Sequence, residues 1–208
     1  MSGDDFSLSD LTNEEVDRLE GYYGPLADSV RDLLDATIRT TVPEEEVRAA
    51  KDEIDAVVRR LRASQLPGPA GVHYNADGRS WAWGNSVVGL RNAMAPPLQT
   101  VHEPDGRVHA EVDLGAAYEG PPGLVHGGVV ALLLDQLMGE TASGFKRLTL
   151  TGTLTMRYRR GTTLGPVRLE GWIDREEGRK VFVRAQISDP EGVSVEADGI
   201  FIIPSWAI

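Results

Sequence analysis

The apolar residues of the chain are spaced in two different ways, and the change from one to the other marks its main division. Over the first third they recur at helical intervals. Leu26, Val30, Leu33, Leu34 and Ile38 form one stripe after Pro25, and Val47, Ile54, Val57, Val58 and Leu61 form a second after Pro43. A shorter helix is expected over residues 11–20, capped by Asp10 or Thr12 and with Glu14 and Glu15 in its first turn. Pro25 and Pro43 sit where a first helical residue is tolerated, so the pattern predicts three separate amphipathic helices. Their stripes must bury against the main domain or a partner subunit.

From residue 98 onward the spacing becomes strand-like. Strands are predicted over residues 98–103, 107–114, 148–159, 167–176, 180–188 and 193–203, separated by turn residues such as Asp105, Gly106, Gly161, Gly178 and Gly192. The close spacing of the last four predicts an antiparallel meander. One helix interrupts the set, from Gly127 to about Ser143. It is apolar nearly all round and must be buried, and a single sheet buries it only by curling around it. The fold class is α+β. Residues 67–97 are rich in Pro and Gly and predict a connector in which Trp81 and Trp83 serve packing. The expected organisation is a helical extension over 1–66, the connector over 67–97 and a strand-rich domain over 98–208.

Charge sharpens this division. The 208 residues carry a net charge of -11. Residues 1–66 hold 16 Asp/Glu against 8 Lys/Arg, and residues 67–208 hold 16 against 13. The acidity belongs to the extension, and the remainder is near enough to neutral to host an anionic substrate. Nucleic acid and anionic membrane surfaces are poor partners for such a chain, because both demand clustered Lys and Arg. There is no cysteine, which excludes a disulfide framework, Cys-ligated zinc and a thiol nucleophile. The acidic start lacks a secretory pattern, and the longest aliphatic run, residues 129–134, is far below the roughly 18 residues of a membrane span. A cytoplasmic protein with no membrane or nucleic-acid partner is expected.

The chemistry concentrates in residues 118–139, Tyr-Glu-Gly-Pro-Pro-Gly-Leu-Val-His-Gly-Gly-Val-Val-Ala-Leu-Leu-Leu-Asp-Gln-Leu-Met-Gly. Asp135 stands inside a helix otherwise built for a core. A buried carboxylate is either paired or lines a polar cavity, where a raised pKa suits a general base or nucleophile. At the helix start, Gly127 and Gly128 leave backbone N–H groups unobstructed at the positive end of the dipole, a receptor for a developing oxyanion. The same glycines would also serve close packing or a tight turn. His126 beside them suits a cap, a substrate contact or burial. Gly127 and Asp135 are eight residues apart, so one helix separates them by about 12 Å. That is too far for both to serve the two ends of one carbonyl bond. If both act, two antiparallel helices from two subunits must contribute.

The string His126-Gly127-Gly128 followed by Asp135 resembles the hotdog thioesterases of the phenylacetate-pathway (PaaI) type, and the preceding Tyr-Glu-Gly-Pro-Pro-Gly is similar to longer members of that family. The resemblance covers roughly residues 96–203. It implies a six-stranded antiparallel sheet wrapped around a central helix, a homodimer with a continuous sheet, and often a dimer of dimers. It also implies hydrolysis of acyl-CoA, with Asp135 as general base or nucleophile and Gly127 supplying the oxyanion N–H from the opposite subunit. A further family role, orienting water or carboxylate, falls to a Ser or Thr on the strand after the helix. Thr151 matches best and Thr153 is the alternative, since Thr149, Thr151, Thr153 and Thr155 alternate onto one face. Some relatives carry an Asn where this chain has Gly120, so no side chain there holds a water.

Phosphates of CoA call for cations. Arg157, Arg159 and Arg160 at the end of one strand, with Lys146 and Arg147 after the helix, are the candidates. His126, Gly128 and Thr153 complete the expected substrate contacts. No metal or cofactor beyond the substrate's own CoA is expected. A non-catalytic acyl-CoA or acyl-carrier binder is the alternative, and Asp135 counts against it. A hydratase would place His five residues after the Asp, where Glu140 stands.

Overall fold

Thr12 begins the first helix by a reciprocal cap. Its hydroxyl accepts from the Glu15 N–H at 3.2 Å, and its own N–H donates to the Glu15 carboxylate at 2.9 Å. The computed structural model describes residues 6–144 and 147–207. Helix α1 spans Asn13–Arg39 and runs unbroken through Pro25, where two helices were expected. Proline there forgoes one N–H and crowds the Gly21 carbonyl. The burial of Val16 before it and of Gly24 and Ala27 around it keeps both halves on one packing surface. Helix α2 spans Glu44–Leu61.

Two compact units divide the chain, Met1–Ala93 and Met94–Ile208. In the first, β1 (Phe6–Leu8) pairs in parallel with β2 (Val72–Tyr74), which pairs antiparallel with β3 (Ser80–Trp81). Two of these strands lie within the expected connector. Arg79 joins this sheet to α1 through Asp17 at 2.6 Å and Glu20 at 2.9 Å. Trp81 is buried, its ring beside those of His73 and Trp83.

The second unit holds β4 (Thr100–His102), β5 (Val108–Leu114), α3 (Gly127–Ser143), β6 (Leu150–Tyr158), β7 (Gly165–Glu177), β8 (Lys180–Asp189) and β9 (Gly192–Ile202). The six strands form one antiparallel sheet in the order β4-β5-β7-β8-β9-β6. Only β7, β8 and β9 form the meander. β6, expected as its first strand, pairs instead with β9. The chain reaches that far edge because α3 lies across the sheet between β5 and β6, meeting β5 through β9. This is the hotdog architecture. Val130, Leu133, Leu134, Leu137 and Met138 of α3 are buried, as are Leu169, Val183, Ile187, Val195 and Phe201 of the strands. Each such side chain contributes about 1.5–3 kcal/mol. The opposite face of α3 is less covered, and Leu132 remains 36% exposed. One sheet cannot close around a helix entirely, so the protomer leaves open an apolar face that bears a carboxylate.

Candidate active site

A tight loop seats the start of α3. Gly123 adopts φ 75°, and its N–H donates to the Glu119 carboxylate at 2.8 Å. The Gly120 N–H donates to the Leu124 carbonyl at 2.9 Å, and the His126 N–H to the Tyr118 carbonyl at 2.9 Å. The chain thereby folds back on itself so closely that a Cβ on Gly120 would lie 2.7 Å from the His126 Cα. A glycine is required there, which accounts physically for the missing side chain noted in the sequence.

His126 caps α3, its Nδ1 accepting the Gly128 N–H at 3.0 Å. In the neutral ring an accepting Nδ1 places the proton on Nε2, so the exposed imidazole offers a donor. Gly128 therefore gives its N–H to its own cap rather than offering it to a ligand. The Tyr158 hydroxyl donates to the Gly127 carbonyl at 2.8 Å. Among the described residues, the Gly127 N–H has no acceptor.

Two turns further on, Asp135 is half-buried rather than sealed in a core. It lies on the less covered side of α3, and its Oδ1 accepts the Thr151 hydroxyl at 2.9 Å. Thr153 does not join them. The register between β6 and β9 slips between Thr151 and Thr153, with Gly152 as the extra residue of a bulge. Thr151 pairs with Phe201, whose ring lies 3.6 Å from the point where a Cβ on Gly139 of α3 would sit. Thr153 pairs with Ile200 and, with Thr155, Arg184 and Asp198, lines a hollow on the other face. The two threonines expected on one face thus lie on opposite faces.

The arginines expected to meet phosphates are engaged within the protomer. Arg157 pairs with Asp198, and Arg159 with Glu196 at 2.7 Å, both acids on β9. They share the outer face with Thr155, away from α3. Arg160 grips Asp189 through two guanidinium nitrogens, and the Asp189 side chain is fully buried. Arg160 is the counter-ion of an internal carboxylate and is not free for a ligand. Arg147 forms a two-pronged pair with Glu176. Lys146 lies outside the described residues.

Sequence reasoning missed Tyr158 and a second polar group on α3. Glu140 accepts from Gln136 at 2.8 Å and from the Thr100 hydroxyl, with His102 Nε2 at 4.0 Å. Burial pushes the His102 pKa down, against the pull of Glu140. Gln136 and Glu140 are four apart on a helix, and Thr100 and His102 two apart on a strand. That spacing was a readable signal once β4 was known to flank α3.

Comparison with known proteins agrees with the fold. The thioesterase superfamily profile matches residues 122–196. A solved thioesterase superfamily protein is 30% identical, with a TM-score of 0.77 over 86% of this chain and 90% of its own. The chain belongs to the thioesterase superfamily. The acyl-coenzyme A thioesterase THEM4 of Xenopus laevis is 36% identical over 91 residues, 42% of this chain and 41% of that protein. That of Bos taurus is 32% identical over 91 residues, 42% of this chain and 37% of that protein. This chain therefore spans about two fifths of the length of these curated relatives. Among the described residues, no helix is long and apolar enough to cross a membrane.

Proposed function

We propose that the protein hydrolyses an acyl-CoA thioester at a site shared by two protomers, in the manner of the phenylacetate-pathway branch of its superfamily. The observation that carries this reading is the Thr151–Asp135 hydrogen bond on the half-open face of α3. The hydroxyl holds one carboxylate oxygen and leaves the other for water. In the reaction, water attacks the thioester carbonyl carbon as Asp135 takes its proton. The oxyanion is met by the Gly127 N–H of the partner subunit. The C–S bond then breaks, and the departing thiolate takes the proton back from Asp135.

The open edge of the sheet supports the shared site. β6 is that edge, with Thr151 near one end tied to Asp135 and Tyr158 at the other tied to Gly127. With Gly152 as the extra residue, a two-fold axis at Thr155 would pair β6 antiparallel with its copy and extend the sheet through both protomers. Thr151 then faces Tyr158 of the partner subunit, so Asp135 of one protomer approaches Gly127 of the partner subunit. This removes the roughly 12 Å separation within one helix. The exposed Leu132 beside Asp135 becomes a lining for the acyl group. Homodimers, or dimers of dimers, are the assemblies this pairing permits.

A panel of acyl-CoA esters assayed by free-thiol release tests the reading. At least one ester is expected to turn over, with Asp135→Ala lowering kcat by about 10²-fold or more, the scale of a positioned acid–base group. Undiminished turnover in that variant removes Asp135 from the mechanism. Tight binding of acyl-CoA without turnover would favour a non-catalytic binder.

A further inference from the structure

Helix α2 has 18 residues and none of them is buried. Val47, Val57, Val58 and Leu61 are between 37% and 47% exposed, and Ile54 is half-buried among them. At about 100° per residue these five and Ala50 fall on one stripe. An isolated helix of this length is marginal in water, and an apolar stripe left to solvent works against it.

The charges beside the stripe say what covers it. Lys51, Glu44, Arg62 and Asp55 flank it on one side, and Glu46, Glu53 and Arg60 on the other. Glu44 and Arg62 lie nine residues either side of position 53, Glu46 and Arg60 seven, and Lys51 and Asp55 two. When a helix pairs antiparallel with its own copy, each flank faces the same flank of the other, and positions equidistant from the two-fold axis meet. An axis near position 53 sets all three pairs acid against base, each occurring twice. The stripe agrees with this axis to within a residue, since Val47 and Leu61 straddle Ile54, as do Ala50 and Val58. Glu53 alone meets its own copy. Glu44 and Lys51 also pair within α2, with Arg48 and Asp55, so Glu46 and Arg60 carry the match most directly.

We infer that α2 is an interface for a second copy of this chain, packed antiparallel through Val47, Ile54, Val58 and Leu61. This contact is separate from β6 and from the catalytic residues proposed above. It gives the acidic extension an assembly role whichever chemistry the second unit performs.

Because the chain has no cysteine, a single introduced thiol reports the contact cleanly. In the full-length protein, Ile54→Cys is expected to form a covalent dimer of twice 22.6 kDa on mild oxidation. Asp52→Cys, on the far side of the helix, is expected to stay uncoupled. In the Ile54→Cys background, Glu46→Arg or Arg60→Glu should slow coupling roughly tenfold, because two attractions become two repulsions. Combining the two reversals should restore the rate, which a merely structural role for either charge would not do. Equal coupling at positions 52 and 54 would overturn the inference, as would no coupling at 54 in a protein of normal circular dichroism. A double reversal no better than the single ones would overturn it too. Thiol release from acyl-CoA is read separately, so failure here leaves the catalytic proposal standing.

Discussion

The Thr151 hydroxyl lies 2.9 Å from Oδ1 of Asp135, and the bulge at Gly152 is what turns it there. With regular alternation Thr151 and Thr153 would share a face, and the strand could not aim the first at α3 while leaving the second on the outer surface. A side chain that fixes one carboxylate oxygen should act on the rate more than on binding. We expect Thr151→Val to lower kcat for thiol release roughly tenfold with little change in KM, the scale of a lost charge-assisted hydrogen bond. Thr151→Ser should retain most of the rate. A Val variant with the wild-type kcat would make the contact structural only.

In the proposed shared site Tyr158 would act from the other end of β6. Its hydroxyl holds the carbonyl of Gly127 at 2.8 Å and so orients the first peptide of α3. Tyr158→Phe removes one neutral hydrogen bond, worth about 0.5–1.5 kcal/mol. A fall of about three- to tenfold in kcat is expected, with thermal stability close to wild type. Steady-state kinetics and a melting curve on the same sample separate the two effects.

Gly120 tests whether the loop, rather than the helix alone, positions His126. A methyl group at 120 would stand 2.7 Å from the His126 Cα and 3.2 Å from its N, and backbone cannot yield as a side-chain tip does. Gly120→Ala should lower the unfolding free energy by about 1–3 kcal/mol, the usual range for overpacking. Activity should fall with it, as the cap and the Gly127 N–H are displaced together. A fully active, fully stable variant would show that the loop relaxes without moving the helix start.

Much of this architecture was legible in the chain. The six strands fall within a few residues of their apolar alternation, and α3 begins at the Gly127 its glycine pair announced. Two kinds of feature were not legible. Alternation counts residues and has no way to register an extra one, so the bulge at Gly152 reversed the reading of Thr153. Pairing partners are the other kind. Arg157 and Arg159 read as free cations until β6 was found beside β9, whose Asp198 and Glu196 neutralise them. Pro25 failed for a related reason, since tertiary burial on both sides outweighed a local preference.

Arg160 separates a structural role from the phosphate-binding one that the sequence suggested. Its guanidinium, with further hydrogen bonds from Thr163 and the Glu191 N–H, holds the buried Asp189 carboxyl far below the usual carboxylate range. The folded chain therefore binds this proton less readily than the unfolded one. The stabilisation is fully present above the unfolded pKa of about 4 and is lost as the pH falls below it. Replacing Arg160 by Met leaves a buried charge uncompensated, so the variant should have a lower urea midpoint than wild type at pH 7. In the variant Asp189 takes up a proton more easily, and the gap between the two proteins should narrow as the pH drops below about 4. Adding Asp189→Leu should recover part of the midpoint at pH 7, because an apolar pair of similar volume replaces a broken ionic one. Urea titrations of the three proteins at pH 7 and pH 3.5 check this order. A variant with the wild-type midpoint and a raised KM for acyl-CoA would instead return Arg160 to the phosphate-binding role.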